Sequence, residues 1–498
     1  MENGLNKKYG LLTAICMVVG IVVGSGVFFK AQTILQKTEG NMVMGIWAWL
    51  IGGAIMLCCI AAFSIMATKY EKVNGIVDYA EATVGRKYGY VVGWFLTMIY
   101  YPTLTSVLAW LSARYTLVFL TSAFPNRITL VIPAAEGGCV IGPECMALSV
   151  FFLCAAYAVN ALSPKIAGHF QVATTIIKLI PLLLMAVVGI IVGLVSDQGL
   201  LLENMANPGA ETTGNPLFGA IVATAFAYEG WIIATSINAE LKDAKRNLPI
   251  ALIAGGIIIV AIYLFYYIGV AGGATVEDLM HDGATTAYLN IFGGAFGNIL
   301  NLFVAISCMG TLNGLMLGCT RGIYAVATRG EGPHPEMFRQ VDKVTNMPNN
   351  ASILGLLLCG FWFLFFYGSN LAAFGWFGLF SFDSSELPIV TIYALYIPIY
   401  LMFMKKATDL SFTRRYLIPA LGLIGSVFMV CAAIYAHGIQ PYLAAKASGG
   451  FACPIVFYLI FFAVVLVWGL AHYKNRQADA RTPQASAEPA PEAGQKCT

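Results

Sequence analysis

The sequence predicts an all-α polytopic membrane protein of about twelve transmembrane helices, built as two inverted five-helix repeats with two additional helices. Four observations carry this reading. Of the 498 residues 59% are hydrophobic and only 11% charged, with a mean hydropathy of +0.76. Apolar windows of about 20 residues, long enough to span a bilayer, recur along the whole chain. Two of them are interrupted at corresponding places: Leu11–Leu35 by Gly24-Ser25-Gly26, and Leu217–Ile237 by Tyr228-Glu229-Gly230. Lys and Arg, finally, concentrate in alternate loops.

The spans are expected near 11–35, 43–68, 88–120, 147–162, 169–196, 216–238, 249–273, 291–328, 351–367, 384–404, 416–436 and 452–473. Residues 1–10 form a short N-terminus, 11–196 the first repeat, 216–404 the second, 416–473 the two added helices and 474–498 a tail. An apolar run from residue 11 exceeds the usual signal-peptide core of about 7–15 residues and no cleavage motif follows, so it is taken as span 1. The tail, with Pro483, Pro489 and Pro491 among Ala, Glu and Gln, is too polar to pack and is expected to be disordered.

Orientation follows from the loops. One set carries Lys69, Lys72, Arg86 and Lys87, then Lys165, then Lys242, Lys245 and Arg246, then Arg329, Arg339 and Lys343, then Lys405, Lys406, Arg414 and Arg415. The other set leans acidic, with Asp197, Glu203, Glu211, Glu277, Asp278 and Asp282. The positive-inside rule then places both termini in the cytoplasm of a cell whose cytoplasmic membrane the chain spans. The net charge of +3 says little, and nothing suggests a nucleic-acid partner.

The two interruptions matter because an unwound turn in hydrocarbon leaves backbone groups unpaired, tolerated only where they are buried in protein or line a cavity. They lie five spans apart. An odd number brings the second repeat into the membrane from the opposite side, the arrangement of alternating-access transporters. For Gly24-Ser25-Gly26 taken alone, close helix packing through small residues is the competing reading.

No catalytic or cofactor constellation accompanies them. The twelve cysteines are scattered, mostly within spans, where free Cys acts as a small apolar residue. Cys139 and Cys145 share a loop expected outside, and a bridge between them is left open. The sequence has no phosphate loop, paired zinc spacing or nucleophile elbow. Its five histidines stand apart and read as loop or interfacial residues. No cofactor is expected, and no enzyme activity.

Several segments resemble a known family. Gly20-Ile21-Val22-Val23-Gly24-Ser25-Gly26-Val27-Phe28 is similar to the G-x-x-x-G-S-G-[IV]-F signature of the amino acid–polyamine–organocation superfamily. Phe226-Ala227-Tyr228-Glu229-Gly230-Trp231 resembles the F-[AS]-Y-x-G-W of its L-type amino acid transporter branch. Glu240 to Pro249 is similar to E-x-x-N-P-x-R-N-x-P, departing at Asp243 and Ala244, and Ser307 to Gly314 with Arg321 and Arg329-Gly330-Glu331-Gly332 resembles span 8 and its following loop. The resemblance runs through spans 1 to 8. It implies a LeuT-type fold and a sodium-independent amino acid carrier, commonly an exchanger.

On that basis the site is expected at Ile21, Val22, Val23, Gly24, Ser25 and Gly26 of span 1 and Phe226, Ala227, Tyr228, Glu229 and Gly230 of span 6. N–H groups from Val23 to Gly26, at the positive end of a half-helix, suit a substrate carboxylate. Carbonyls at Ile21, Val22, Phe226, Ala227 and Glu229 suit its ammonium. Phe226 resembles a gating aromatic of the family, and Trp231 is a second candidate gate; an ordinary core aromatic is the alternative for both.

Lys178 stands alone in Ile176-Ile177-Lys178-Leu179-Ile180, about nine residues or roughly 14 Å of helix from His169, too deep for easy snorkelling. The resemblance puts a lysine where sodium-coupled relatives of the fold hold a cation, so Lys178 is expected to couple spans 1 and 8, with Ser307 as its candidate partner. Glu229 departs from L-type relatives, which carry a small residue there. An intramembrane carboxylate must pair or titrate. It is expected to meet a cationic substrate such as arginine, lysine or ornithine, to carry a proton with a neutral one, or to cap the freed N–H groups of the second half-helix. Glu386 and Asp383 read as interfacial. Proton-coupled symport is the alternative to exchange; a non-transporting amino acid sensor is a third reading. Some relatives of the family pair with a single-span glycoprotein through a cysteine in the span 3–4 loop, where this chain has Cys139 and Cys145, and the sequence leaves such a subunit undecided.

Overall fold

The computed structural model describes residues 10–70, 75–125, 127–128, 142–162, 164–195, 200–210, 214–234, 241–342, 347–371 and 375–473. Lys72, Cys139, Lys343, residues 1–9 and the tail 474–498 lie outside the described residues, and with them the question of a Cys139–Cys145 bridge. The spans fall on helices in the expected order. The first is a bent pair, α1 (Leu11–Val22) and α2 (Gly26–Lys37), with a 50° angle between the two pieces. It is followed by α3 (Met42–Tyr70), α4 (Arg86–Ala123), α5 (Pro143–Ala161) and α6 (Ala173–Val195). Next come α7 (Pro216–Ala227) and the short α8 (Trp231–Ala234), then α9 (Ala244–Ala271), α10 (Gly294–Thr328), α11 (Asn349–Leu371), α12 (Leu387–Lys406), α13 (Thr413–Ala447) and α14 (Pro454–Ala471).

Ten of these helices are long and apolar enough to cross a membrane, eleven with the bent pair counted as one span. The remaining expected span falls on α7, a shorter apolar helix of 12 residues. Its second half was expected to continue to 238, and residues 235–240 are outside the described ones.

The packing explains why helices with almost no polar stripe hold together. In lipid, association rests on close van der Waals contact rather than on removal of apolar surface from water. The centre is built from α2 against α7, α3 against α9, and α4 against α10, each pair five spans apart in the chain. Large apolar side chains such as Leu12, Val195, Leu357, Val464 and Val467 point outward, as a lipid-facing surface requires.

Both breaks have a local cause. α1 ends where Val23 turns to an extended conformation, and α2 restarts at Gly26, which passes so close to α7 that an added Cβ would meet the Ala227 Cα at 2.8 Å and the Phe226 carbonyl at 3.1 Å. α7 ends before Gly230, whose φ of +103° is a conformation that side-chain-bearing residues rarely adopt. Glycine at 26 and 230 is thus what lets the two breaks lie against each other.

Candidate functional site

The breaks open onto one cavity of about 530 Å³, a size typical of small-molecule sites. Ile21, Val22, Gly24, Ser25 and Gly26 line it from the first break, and Phe226, Ala227, Glu229 and Gly230 from the second. α4 adds Tyr100 and Tyr101, placed at the end of a π-turn over Leu96–Tyr100. Pro102 follows directly; it has no N–H to donate, and a widened turn absorbs that loss.

Three helix ends converge here. The negative ends of α1 and α7 and the positive end of α2 face the same space, so the cavity holds acceptors for an ammonium beside donors for a carboxylate. That is the charge pattern of an α-amino acid zwitterion. The Ser25 hydroxyl, 1% exposed, makes no hydrogen bond among the described residues, and α10 brings Thr311, whose Oγ1 would lie 3.2 Å from a Cβ on Gly24.

The expected backbone roles divide. The Val23 N–H does not open onto the cavity: it donates to the Val19 carbonyl at 2.8 Å, and Val23 is fully buried. Of the four expected donors, Gly24, Ser25 and Gly26 line the cavity and Val23 does not. The Val22 carbonyl already accepts from the Tyr263 hydroxyl at 3.1 Å, whereas the Ile21 carbonyl faces Gly230 across the gap.

Glu229 is the most unusual group of the site. Both carboxylate oxygens are buried, with the Tyr100 hydroxyl and the Gly230 N–H beside them, and no cation pairs with them among the described residues. The aromatic side chains of Tyr228 and Trp231 on either side of it do not share the cavity. Tyr228 is fully buried beside it, donating to the Trp49 carbonyl at 3.0 Å and stacking on Tyr263. Trp231 packs against Phe63 and Tyr396 and does not line the cavity. The alternation has a geometric reason: in the unwound turn one side chain reaches the cavity while those on either side turn back into helix packing.

Phe226 lies between the cavity and a cluster of buried charge. Its ring meets Phe29 edge-on at 6.2 Å, and the Lys30 ammonium stands 5.3 Å from its centre. Lys30, 1% exposed, pairs with Glu386 at 2.7 Å; Lys37 reaches the other Glu386 oxygen at 2.9 Å, and His437 approaches it at 3.1 Å. The interfacial reading of Glu386 is therefore corrected: the carboxylate is fully buried, held ahead of α12 by Asp383, whose Oδ1 accepts from the Ser385 N–H at 2.7 Å and the Glu386 N–H at 3.2 Å. His437 likewise is buried rather than interfacial. Lys30 in the apolar run Val27-Phe28-Phe29-Lys30-Ala31 was the available signal for this cluster.

Lys178, 3% exposed, donates to the Gly20 carbonyl at 2.5 Å. It thereby ties α6 to the last turn of α1, just ahead of the break, and it also lines the cavity. Ser307 on α10 is buried and its hydroxyl has no hydrogen-bond partner among the described residues, so the Lys178–Ser307 contact is not among those described. Thr311, Tyr100, Tyr101 and Arg321 are cavity residues that sequence reasoning did not single out as such.

Comparison with known proteins agrees with this geometry. The amino acid permease family model matches residues 9–464. The serine/threonine exchanger SteT of Bacillus subtilis (strain 168) is 29% identical over 440 residues, 86% of this chain and 91% of that protein. The Asc-type amino acid transporter 1 of Mus musculus is 25% identical over 363 residues, 71% of this chain and 63% of that one. The large neutral amino acids transporter small subunit 2 of the same species is 26% identical over 352 residues, 69% and 62% respectively. The chain thus spans a little under two thirds of the length of these two mammalian relatives. A family model that matches residues 9–464 means that the chain belongs to the amino acid permease family of membrane carriers and is not an enzyme.

Proposed function

We propose that this sodium-independent amino acid exchanger takes amino acids that carry a second positive charge, with Glu229 as the counter-charge for the side chain. The observation that carries the reading is the buried carboxylate in the cavity, which has neutral donors beside it but no cation paired with it among the described residues. An unpaired charge in that position costs several kcal/mol by order of magnitude, and a cationic ligand removes the cost. The substrate carboxylate then lies at the Ser25 and Gly26 N–H groups and its ammonium at the ends of α1 and α7. Phe226 closes the site on the Glu386 side, and Lys178 couples α6 to the break through the Gly20 carbonyl. Pairing of helices five spans apart supports an inverted repeat working by alternating access. The loop charges support cytoplasmic termini in the cell membrane, with the Arg329 mouth inside and Glu386 outside.

A second reading is favoured by the names of the relatives, which include an exchanger of serine and threonine. In that case Glu229 carries a proton alongside a neutral substrate. Exchange into liposomes containing the purified protein separates the two. Unlabelled cationic and neutral amino acids compete with a labelled one, at mildly acid and mildly alkaline pH, for wild type and Glu229→Gln. The proposal expects cationic amino acids to compete best in wild type and to lose that advantage in the variant. A ranking led by neutral amino acids, with a pH response that the variant abolishes, replaces it with the proton reading.

A further inference from the structure

The cations along the cavity divide into those with partners and one without. Lys178 is held by the Gly20 carbonyl. At the far mouth Arg86 pairs with Glu331 at 2.8 Å, and Arg329 with Asp78 at 2.9 Å and Glu81 at 3.1 Å. Arg321 lies between these places on α10, is exposed to the cavity it lines, and makes no hydrogen bond or ion pair among the described residues. It is ten residues beyond Thr311, roughly 15 Å of helix, and seven before the helix end at Thr328, roughly 10 Å. An arginine at that depth of a membrane span is a functional candidate by default.

The shape of the space says what passes it. The central cavity runs from Gly24 and Glu229 to Arg321 and Gly322, and a second cavity of about 260 Å³ shares Tyr101, Gly322 and Ala325 with it and ends at Arg329 and Glu331. Arg321 therefore stands on the route between the central site and the mouth. A guanidinium offers a planar two-point contact that suits a carboxylate, and every amino acid brings one. With no resident anion among the described residues to neutralise it, its partner is one that comes and goes.

We propose that Arg321 forms a second substrate position on the cytoplasmic side of the central site, where its guanidinium takes the α-carboxylate of the amino acid before or after the central site does. The same charge turns away cations that lack a carboxylate, since they meet only repulsion there. The inference rests on amino acid transport and on the orientation proposed above, and not on the role of Glu229. A substrate is thus read twice, by its carboxylate at Arg321 and by its whole zwitterion at the breaks.

The test measures KM from each face separately in liposomes, for the amino acid that wild type carries best. Arg321→Gln is expected to raise the cytoplasmic-face KM about tenfold or more, the scale of a lost charge-assisted hydrogen bond, while the opposite face changes less than about twofold. The decarboxylated amine of the same amino acid is expected to compete better from the cytoplasmic face in the variant than in wild type, opposite in direction to the amino acid. Arg321→Lys, which keeps the charge and loses the fork, is expected to fall between them, and it decides the matter should the glutamine variant fail to insert. An unchanged cytoplasmic KM, equal shifts on both faces, or unaltered amine competition would overturn the proposal. Loss of side-chain ranking in Glu229→Gln bears on the central site alone, so the two ideas fail separately.

Discussion

The two breaks of the membrane core meet at one cavity but present different chemistry. Gly24-Ser25-Gly26 offers backbone and one small hydroxyl, with glycine holding α2 against Ala227. Tyr228-Glu229-Gly230 offers a buried carboxylate with no cation paired to it among the described residues. Backbone groups at helix ends recognise what all amino acids share, a carboxylate and an ammonium. A side chain in the second break addresses what distinguishes them. On the proposed reading, family membership and substrate choice are carried by separate halves of one site.

The comparison breaks most completely if the first break is filled. Gly26→Leu places a side chain where even a Cβ meets backbone at 2.8 Å, so exchange should be lost altogether. Competition by every amino acid should disappear with it, because the shared part of the site is gone. A variant that still binds some amino acids with wild-type ranking would show that α2 and α7 need not touch.

The next effect concerns the buried charges beyond Phe226. Glu386→Gln leaves Lys30, 1% exposed, without its counter-charge, and removing one partner of a buried pair costs about 3–5 kcal/mol. The melting temperature in detergent should fall by several degrees, and the double change Lys30→Met with Glu386→Gln should recover much of it. A single variant as stable as wild type would place that cluster in water.

Lys178→Ala sharpens the comparison from the first break. The Gly20 carbonyl loses its donor at the end of α1, at a net cost of about 1.5–3 kcal/mol for a charged hydrogen bond. Exchange rate should drop about tenfold or more while insertion and melting temperature change little. Transport at the wild-type rate with unchanged affinity would assign the lysine to packing alone.

How much of this was legible depends on whether a residue broke a local rule. Gly24-Ser25-Gly26 and Glu229 each violate the apolar pattern of a span, so both stood out, as did Lys178. Tyr228 and Trp231 obey it, and nothing in spacing tells a cavity-facing aromatic from one that packs on Trp49 or Phe63; only the local unwinding decides. Glu386 sits at a span end, where charge is ordinary, and its burial comes from Lys30 and Lys37 more than 340 residues earlier in the chain. The Val23 N–H was misassigned because a break was read as freeing every group within it, whereas α1 keeps its last hydrogen bond. Arg321 breaks the same rule within span 291–328 but was read only as part of a family segment, and Thr311, among small residues, acquires meaning only from what α1 and α4 place opposite it.

The smallest change in structure bears on the central claim. Lysine and norleucine share a backbone and chain length and differ in the terminal ammonium, so the ratio of their KM values in liposome exchange isolates what Glu229 contributes. The account predicts that wild type favours lysine by about tenfold or more, the scale of a buried charge pair, and that Glu229→Gln brings the ratio close to one with norleucine little affected. A wild-type ratio at or below one, or a preference for lysine that survives in Glu229→Gln, would contradict it.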